Sequence, residues 1–369
     1  MSADNRLDIP VIDLDDLKSD DRDRREAADR ALCDSLARFG LIHVRGHGID
    51  RGDLQALYTD FTGFTQRPEA EKRAFAGNDI WFQRGWTPAN TEKAVVAGGQ
   101  PDFKECFFAA PLPVDPVCAV EHPQLYAENR WPDREGSFRR LYLRIGRALH
   151  TVGLTLLRGA ARGLDLPQHT FMSGCEGAAH VTRLLRYLEV SAEQIEKGVL
   201  WGEEHTDFNL LTLLPGGQFY DPRGKACPKP DGAGGLYLRT RETADNPVGV
   251  RIPGGAPAGC LVAQVGQQLE ILTGGRLQAT PHEITAPKQP GYTRCSMAHF
   301  IHLHAHQLVA PLPRFRTREA IRAYGPAVLA GTYGTKTLVD IGLAPNEALN
   351  TLGYRHYDRL AGQRAEEGR

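Results

Sequence analysis

No stretch of this chain approaches the roughly 20 consecutive apolar residues needed to cross a bilayer, so a membrane-spanning role is not expected. No block of like charge stands out either. Lys+Arg number 44 against 45 Asp+Glu, for a formal net charge of −1. That balance argues against nucleic acid as a partner, because phosphate backbones are held by concentrated positive charge. The seven cysteines are scattered, with no Cys-x-x-Cys pair. The opening segment MSADNRLD is polar where a secretory signal would carry an apolar core. Together these absences point to reduced thiols and a cytoplasmic setting. Internal repeats and low-complexity tracts are also lacking. With 369 residues, 41% of them hydrophobic, the chain has material for a large core. The expected partner is a small molecule.

What is present is a set of chemically matched residues. His205 and Asp207 are followed by a distant His282, and then by Arg294 and Ser296. Two imidazoles and a carboxylate can hold a non-haem Fe(II) on one face, leaving the opposite face open to O2, a co-substrate and water. A cation with a hydroxyl two residues on can hold an acidic co-substrate beside the metal. The spacing suits strands, where residues i and i+2 share a face. Residues 204–214 (EHTDFNLLTLL) are apolar and β-branched, as in a buried strand. That reading puts His205 and Asp207 on one face of it. His282 lies in a second strand-like run, with Pro281 marking its edge or start. Arg294 and Ser296 alternate in a third. Taken singly, His-x-Asp also fits a surface pair or an N-cap, and His282 a packed histidine; it is the joint order that points to a metal site.

Further short motifs run collinearly through the chain. They are IPVIDL (9–14), ALCDSLARFGLIHVRGHGI (31–49), RPEAEK (67–72), RGWTP (84–88), DFKE (102–105), NRWP (129–132) and GQQLEILTGGR (266–276). In this order, together with the metal and Arg-x-Ser pattern, the chain resembles the isopenicillin N synthase-like group of 2-oxoglutarate/Fe(II)-dependent dioxygenases over residues 8–310. The resemblance implies that His205, Asp207 and His282 are iron ligands. It implies that Arg294 and Ser296 hold the distal carboxylate of 2-oxoglutarate, with Tyr187 reaching the same group. It further implies an oxygenase that uses Fe(II), 2-oxoglutarate and O2. Such an enzyme releases succinate and CO2 while it hydroxylates, desaturates or cyclises a small organic metabolite. The chain departs from the family pattern at Leu188, where Pro is usual, at Glu283, where Arg is usual, and at Gln267, where Asp is usual. Two alternatives stand beside this reading: an iron-dependent oxidase of the same fold that does not use 2-oxoglutarate, and a non-catalytic jelly-roll binding protein.

The expected fold is mainly β with a helical surround. A double-stranded β-helix, or jelly roll, is backed by a long α-helix and preceded by an N-terminal α/β region. The expected division is an N-terminal region over 1–175, a jelly-roll core over 176–310, and covering helices with a tail over 311–369. An amphipathic helix is expected over 21–39, with Ala28, Leu32, Leu36 and Phe39 on its apolar stripe. Ser137 is expected to N-cap the backing helix over about 137–163. The interval between His205 and His282 carries Gly/Pro-rich residues 216–235, read as a loop. It forms either a lid or wall over the substrate, with Phe219 and Tyr220 in contact, or an ordinary surface insertion. Phe300 is a further pocket candidate, or a core aromatic. Cys295 is expected to be a packed small residue. In residues 299–306 (HFIHLHAH), His302, His304 and His306 alternate as on a strand face. A second metal site and a half-exposed strand edge both fit, and the lack of a neighbouring carboxylate or cysteine in sequence favours the edge.

Overall fold

The computed structural model describes residues 9–91, 103–132, 136–240 and 249–352. The N-terminal region supplies β1 (Val11–Asp13), α1 (Leu14–Leu17), α2 (Arg22–Arg38), β2 (Leu41–Arg45), α3 (Arg51–Thr65) and α4 (Glu69–Arg73). Then come β3 (Gly85–Thr87), β4 (Lys104–Ala109), α5 (Pro116–Glu121), α6 (Ser137–Gly163) and α7 (Thr170–Ser173). The central strands are β5 (Val181–Tyr187), β6 (Gly202–His205), β7 (Leu211–Leu214), β8 (Gly217–Tyr220), β9 (Ala226–Cys227) and β10 (Gly235–Arg239), with α8 (Ala192–Glu196) between β5 and β6. They are followed by β11 (Arg251–Pro253), β12 (Leu261–Val265), α9 (Gln267–Leu272), β13 (His282–Thr285) and β14 (Thr293–Ile301). The chain closes with β15 (Leu308–Val309), α10 (Arg318–Tyr324), β16 (Val328–Leu329) and α11 (Ala330–Asp340).

Two sheets face each other. The larger has the order β1-β2-β12-β7-β14-β5-β4-β3, with β8 also pairing with β14 and β9 with β8. The smaller is β11-β10-β13-β6. Strands from before residue 175 and from after it share the larger sheet, so the N-terminal region and the jelly roll are built as one structure. The outer face of the larger sheet is covered by α2, α3 and α6. In α6, Tyr142, Ile145, Leu149, Val152 and Leu156 recur at helical spacing and are buried against this sheet. Close approach depends on Gly153. A Cβ there would sit 2.3 Å from Ile301 Cδ1 and 3.0 Å from Leu213 Cδ2, so a side chain at this position would require these core side chains to repack.

Several of the quoted motifs turn out to be packing devices. Lys72 of RPEAEK and Glu105 of DFKE form a buried ion pair at 3.0 Å, joined by Arg186 at 3.1 Å. Asn129 of NRWP brackets Ala110, accepting its N–H at 2.7 Å and donating to its carbonyl at 2.8 Å.

Four sequence expectations need correction. Residues 204–214 are not one strand: β6 ends at His205 in the smaller sheet, and β7 begins at Leu211 in the larger. The chain crosses between sheets there, and its freed backbone groups bond to the start of α9. Gln267 N–H donates to Asp207 O at 2.7 Å, and Gln268 N–H to Asn209 O at 3.0 Å. Ser137 does not cap α6. Gly136 occupies that position, and the Ser137 hydroxyl donates to Asp60 at 2.7 Å. Residues 216–235 are not only loop, because β8 pairs with β14 and folds back through β9. Finally, β14 stops at Ile301, so His302, His304 and His306 do not share a strand face. The charged tail over 359–369 lies outside the described residues.

Candidate active site

His205 closes β6, and His282 opens β13; the two are paired directly in register, with ring centroids 4.4 Å apart. Asp207 lies just beyond, on the crossing segment. Its Oδ1 stands 3.7 Å from His205 Nε2 and 3.8 Å from His282 Nε2. These separations are too long for hydrogen bonds. The three donor atoms all lie within 4.8 Å of one another.

The surroundings fix which atoms point inward. Asp207 Oδ2 accepts the Thr212 hydroxyl at 2.7 Å, which leaves Oδ1 for the centre. His205 Nδ1 faces the Glu203 carbonyl at 2.7 Å, and His282 Nδ1 faces the Thr280 carbonyl at 3.2 Å. A carbonyl only accepts, so each Nδ1 carries a proton, and in the neutral ring that leaves the lone pair on Nε2. The Gln264 amide abuts His282 Nδ1 at 2.6 Å, and its buried Oε1 is otherwise unpartnered. Turned end for end, that amide accepts the Nδ1 proton through Oε1. Burial, with His205 beside it, pushes the His282 pKa down to about 4, against the opposing pull of Asp207. The ring is therefore neutral at neutral pH. Two imidazole Nε2 atoms and one carboxylate oxygen converging at distances too long for hydrogen bonds make a donor set that fits a divalent iron ion.

Gln267, one of the departures from the family pattern, has a definite place here. Its Nε2 donates to Thr206 Oγ1 at 2.7 Å, and its Oε1 accepts from Tyr333. It thereby holds the segment between His205 and Asp207 through both side chain and backbone. Glu283, another departure, pairs with Arg251.

Arg294 and Ser296 lie two apart on β14, and both line the same cavity as the triad. Arg294 is opposite Tyr187 on one side and Phe219 on the other. Its guanidinium is 5.4 Å from the Tyr187 ring centroid and 5.8 Å from that of Phe219, within cation–π range. Gly217 leaves room for it: a Cβ there would stand 2.7 Å from a guanidinium nitrogen. Tyr58, buried on α3, also lines the cavity and donates to Gly216 O at 2.5 Å. Burial pushes its pKa well up, with Arg294 opposing, so the phenol stays protonated.

The cavity has a volume of about 620 Å³, within the range of small-molecule sites. Leu185, Leu214, Val262 and Ile284 give it apolar walls, and both Phe219 and Phe300 line it. Tyr220 does not line it. As the strand neighbour of Phe219 it faces the other way, into the helix-side core. Residues 216–219, 229, 234 and 235 all contribute to the wall. Arg51, Lys104, Arg183, Lys229 and Arg294 line the cavity, whereas Asp207 is its one carboxylate among the described residues.

Sequence reasoning missed Tyr58, Thr212, Gln264, Lys104 and Arg183. Thr212 and Gln264 sit in apolar strand runs, where a lone polar residue facing inward was the available signal. Tyr58 and Arg183 carried none, because only the packing of α3 and β5 brings them to the cavity.

Comparison with known proteins bears on the family and the fold. Residues 183–303 match the 2OG-Fe(II) oxygenase superfamily, and residues 9–134 match the N-terminal region of the non-haem dioxygenases of morphine synthesis. The chain is 26% identical over 335 residues to the 2-oxoglutarate-dependent dioxygenase ecdK of Aspergillus rugulosus, covering 84% of this chain and 92% of that one. It is 27% identical over 293 residues to the proline hydroxylase buaE of Petromyces alliaceus, covering 76% and 82%. Among solved structures, its fold resembles that of a full-length Neurospora crassa protein in complex with alpha-KG, with a TM-score of 0.73 at 19% identity over 92% of this chain and 98% of that one. It also resembles the rice dioxygenase for auxin oxidation, with a TM-score of 0.60 at 20% identity over 93% and 99%.

Proposed function

This chain belongs to the 2OG-Fe(II) oxygenase superfamily, in its isopenicillin N synthase-like branch, and is a 2-oxoglutarate- and Fe(II)-dependent oxygenase; on that premise we propose that His205, Asp207 and His282 hold the iron, that Arg294, Ser296 and Tyr187 hold the distal carboxylate of 2-oxoglutarate, and that the substrate is a small organic metabolite oxidised at a C–H bond. The observation that carries the assignment is the convergence of the Nε2 atoms of His205 and His282 on one free oxygen of Asp207, at 3.7 and 3.8 Å. Iron dependence and 2-oxoglutarate dependence leave no place for the oxidase and silent-protein alternatives.

The residues divide the work. Thr212 keeps Asp207 to one ligating oxygen, and the Glu203 and Thr280 carbonyls keep both imidazoles in the tautomer a metal needs. Arg294 offers a fork of donors matched to a carboxylate, flanked by the rings of Tyr187 and Phe219. Ser296, nearly buried beside it, adds a hydroxyl donor. When bound, iron and 2-oxoglutarate supply the oxidising power, with 2-oxoglutarate leaving as succinate and CO2. The apolar walls then select which C–H bond faces the metal. The excess of cationic over acidic lining favours a neutral or anionic substrate and disfavours an amine.

The assignment is tested by anaerobic titration of the metal-free protein with Fe(II) and then 2-oxoglutarate. A saturable visible charge-transfer band is expected, lost in His282→Ala and weakened in Arg294→Ala. An unchanged band in His282→Ala would sink the ligand assignment. The charge preference is tested by succinate release across a panel of neutral, anionic and amine compounds; stimulation by amines alone would overturn it.

A further inference from the structure

On the far side of the strand that carries Arg294, the segment after β14 meets α5. Cys118 of α5 is fully buried, and its Sγ lies 3.3 Å from His304 Nε2 and 3.9 Å from His306 Nε2. The three donor atoms lie within 4.8 Å of one another, as in the triad of the active site. Two carboxylates complete the group. Asp115 Oδ2 is 3.0 Å from His304 Nε2, and Glu121 is hydrogen-bonded to His306 Nε2. None of these five residues lines the oxygenase cavity.

We propose that Cys118, His304 and His306 form a second metal site, for a zinc-like divalent ion, with Asp115 or Glu121 as the fourth ligand. One thiolate, two imidazoles and a carboxylate are a donor set suited to tetrahedral zinc. Zn–S of about 2.3 Å and Zn–N of about 2.05 Å at a tetrahedral angle put sulfur and nitrogen about 3.6 Å apart. The two observed separations, 3.3 and 3.9 Å, bracket that distance.

The backbone holds the ligands in place independently of their side chains. Asp115 N–H donates to Gly177 O at 2.9 Å, and His304 N–H donates to Gly174 O at 2.7 Å. Ala305 N–H donates to Tyr126 Oη at 3.0 Å, while its carbonyl accepts from Gly331 at 2.9 Å. The ion would clip α5 to the segment that links β14 to β15 and α11, fastening the helical cover to the jelly roll.

Metal binding at this site displaces protons. Burial pushes the Cys118 thiol up, and the charges of Asp115 and Glu121 act in the same direction, so the free site holds a protonated thiol. A bound cation reverses that influence, and the thiol proton passes to solvent as the S–metal bond forms. Both imidazoles must also free Nε2, whose protons now face Asp115 and Glu121, by moving the proton to Nδ1; on His304 that Nδ1 now accepts the His306 amide at 3.3 Å. That long bond is lost, and the metal takes the place of the Nε2 contacts of His304 with Asp115 and of His306 with Glu121.

The test uses the full-length, metal-stripped protein titrated with Co(II). The active-site triad contains no sulfur, so a sulfur-to-cobalt charge-transfer band reports only a thiolate site. The expected result is this band with a tetrahedral visible spectrum, and one equivalent of cobalt bound beyond the active-site ion. Cys118→Ser and His306→Ala should each lose the band and that equivalent; His306 is exposed, so its variant guards against loss by misfolding. His282→Ala should retain both. Absence of the band in the wild type, or its persistence in both Cys118→Ser and His306→Ala, would overturn the proposal.

Discussion

At the proposed iron site, Thr212 and Gln264 support the ligands without being ligands themselves. Thr212 occupies one oxygen of Asp207, and Gln264 abuts Nδ1 of His282. Removing such support from a metal ligand typically costs 10- to 100-fold in affinity. Gln264→Leu should therefore weaken Co(II) or Fe(II) binding by about that factor while leaving the fold intact, as checked by metal titration and circular dichroism. Gly217 acts at the other end of the cavity. Its Cβ would displace the Arg294 guanidinium, so Gly217→Ala should raise the KM for 2-oxoglutarate roughly tenfold. Metal affinity should be unchanged; loss of both together would indicate general disruption instead. The three proposed ligands were legible in the sequence because metal chemistry restricts candidates to few residue types and their order along the chain was distinctive, although Asp207 reaches His205 from a crossing segment and not by strand spacing. Their supports were not, because a threonine or glutamine in a strand can serve many ends, and only folding shows which group it faces.

At the level of elements, the strand and helix patterns told most. The backing helix expected over about 137–163 is α6, and alternation marked β14 with Arg294 and Ser296 on one face. Where the sequence reading failed, tertiary pairing overrode local pattern. Residues 204–214 read as one strand, but two sheets compete for them, and Asp207 to Leu210 serve the crossing. Residues 216–235 read as loop because Gly and Pro dominate, yet β14 offers β8 a partner edge. The motif fragments DFKE and RPEAEK were legible as resemblance, and only packing explains them: Glu105 holds Lys72, Arg186 and the Trp86 indole N–H in the core. Removing one member of a buried ion group strands the rest at a cost of about 3–5 kcal/mol. Glu105→Ala should lower stability by about that amount in urea unfolding. A change below about 1 kcal/mol would mean that water reaches the two cations.

The molecule as a whole carries a buried histidine cluster that links its stability to acidity. His150 Nδ1 is 3.2 Å from His299 Nε2, and the His150 and His180 rings are 4.4 Å apart. The cluster lies where α6 meets the larger sheet. Burial pushes all three pKa values down, that of His150 to about 4. The unfolded chain titrates near 6.5, so between about pH 6.5 and 4 it takes up protons that the folded state refuses. Stability is therefore complete above about pH 6.5 and declines as pH falls toward 4, by up to about 1.4 kcal/mol per pH unit for each histidine. The Tm of the metal-free protein should fall over this range, and less steeply in His150→Gln. Equal slopes in the two proteins would remove His150 from the account.

The triad is drawn from both halves of the sandwich. His205 and His282 belong to the smaller sheet, whereas Asp207 is tied to Thr212 of the larger one. An ion held by all three is thus a rivet between the sheets as well as a reagent, and by mass action a hundredfold excess over its dissociation constant adds about 2.7 kcal/mol to the folded state. A cell short of iron would then lose more than turnover. Its stock of this protein would unfold and be degraded faster, so that supply of the metal sets the amount of enzyme as well as its rate.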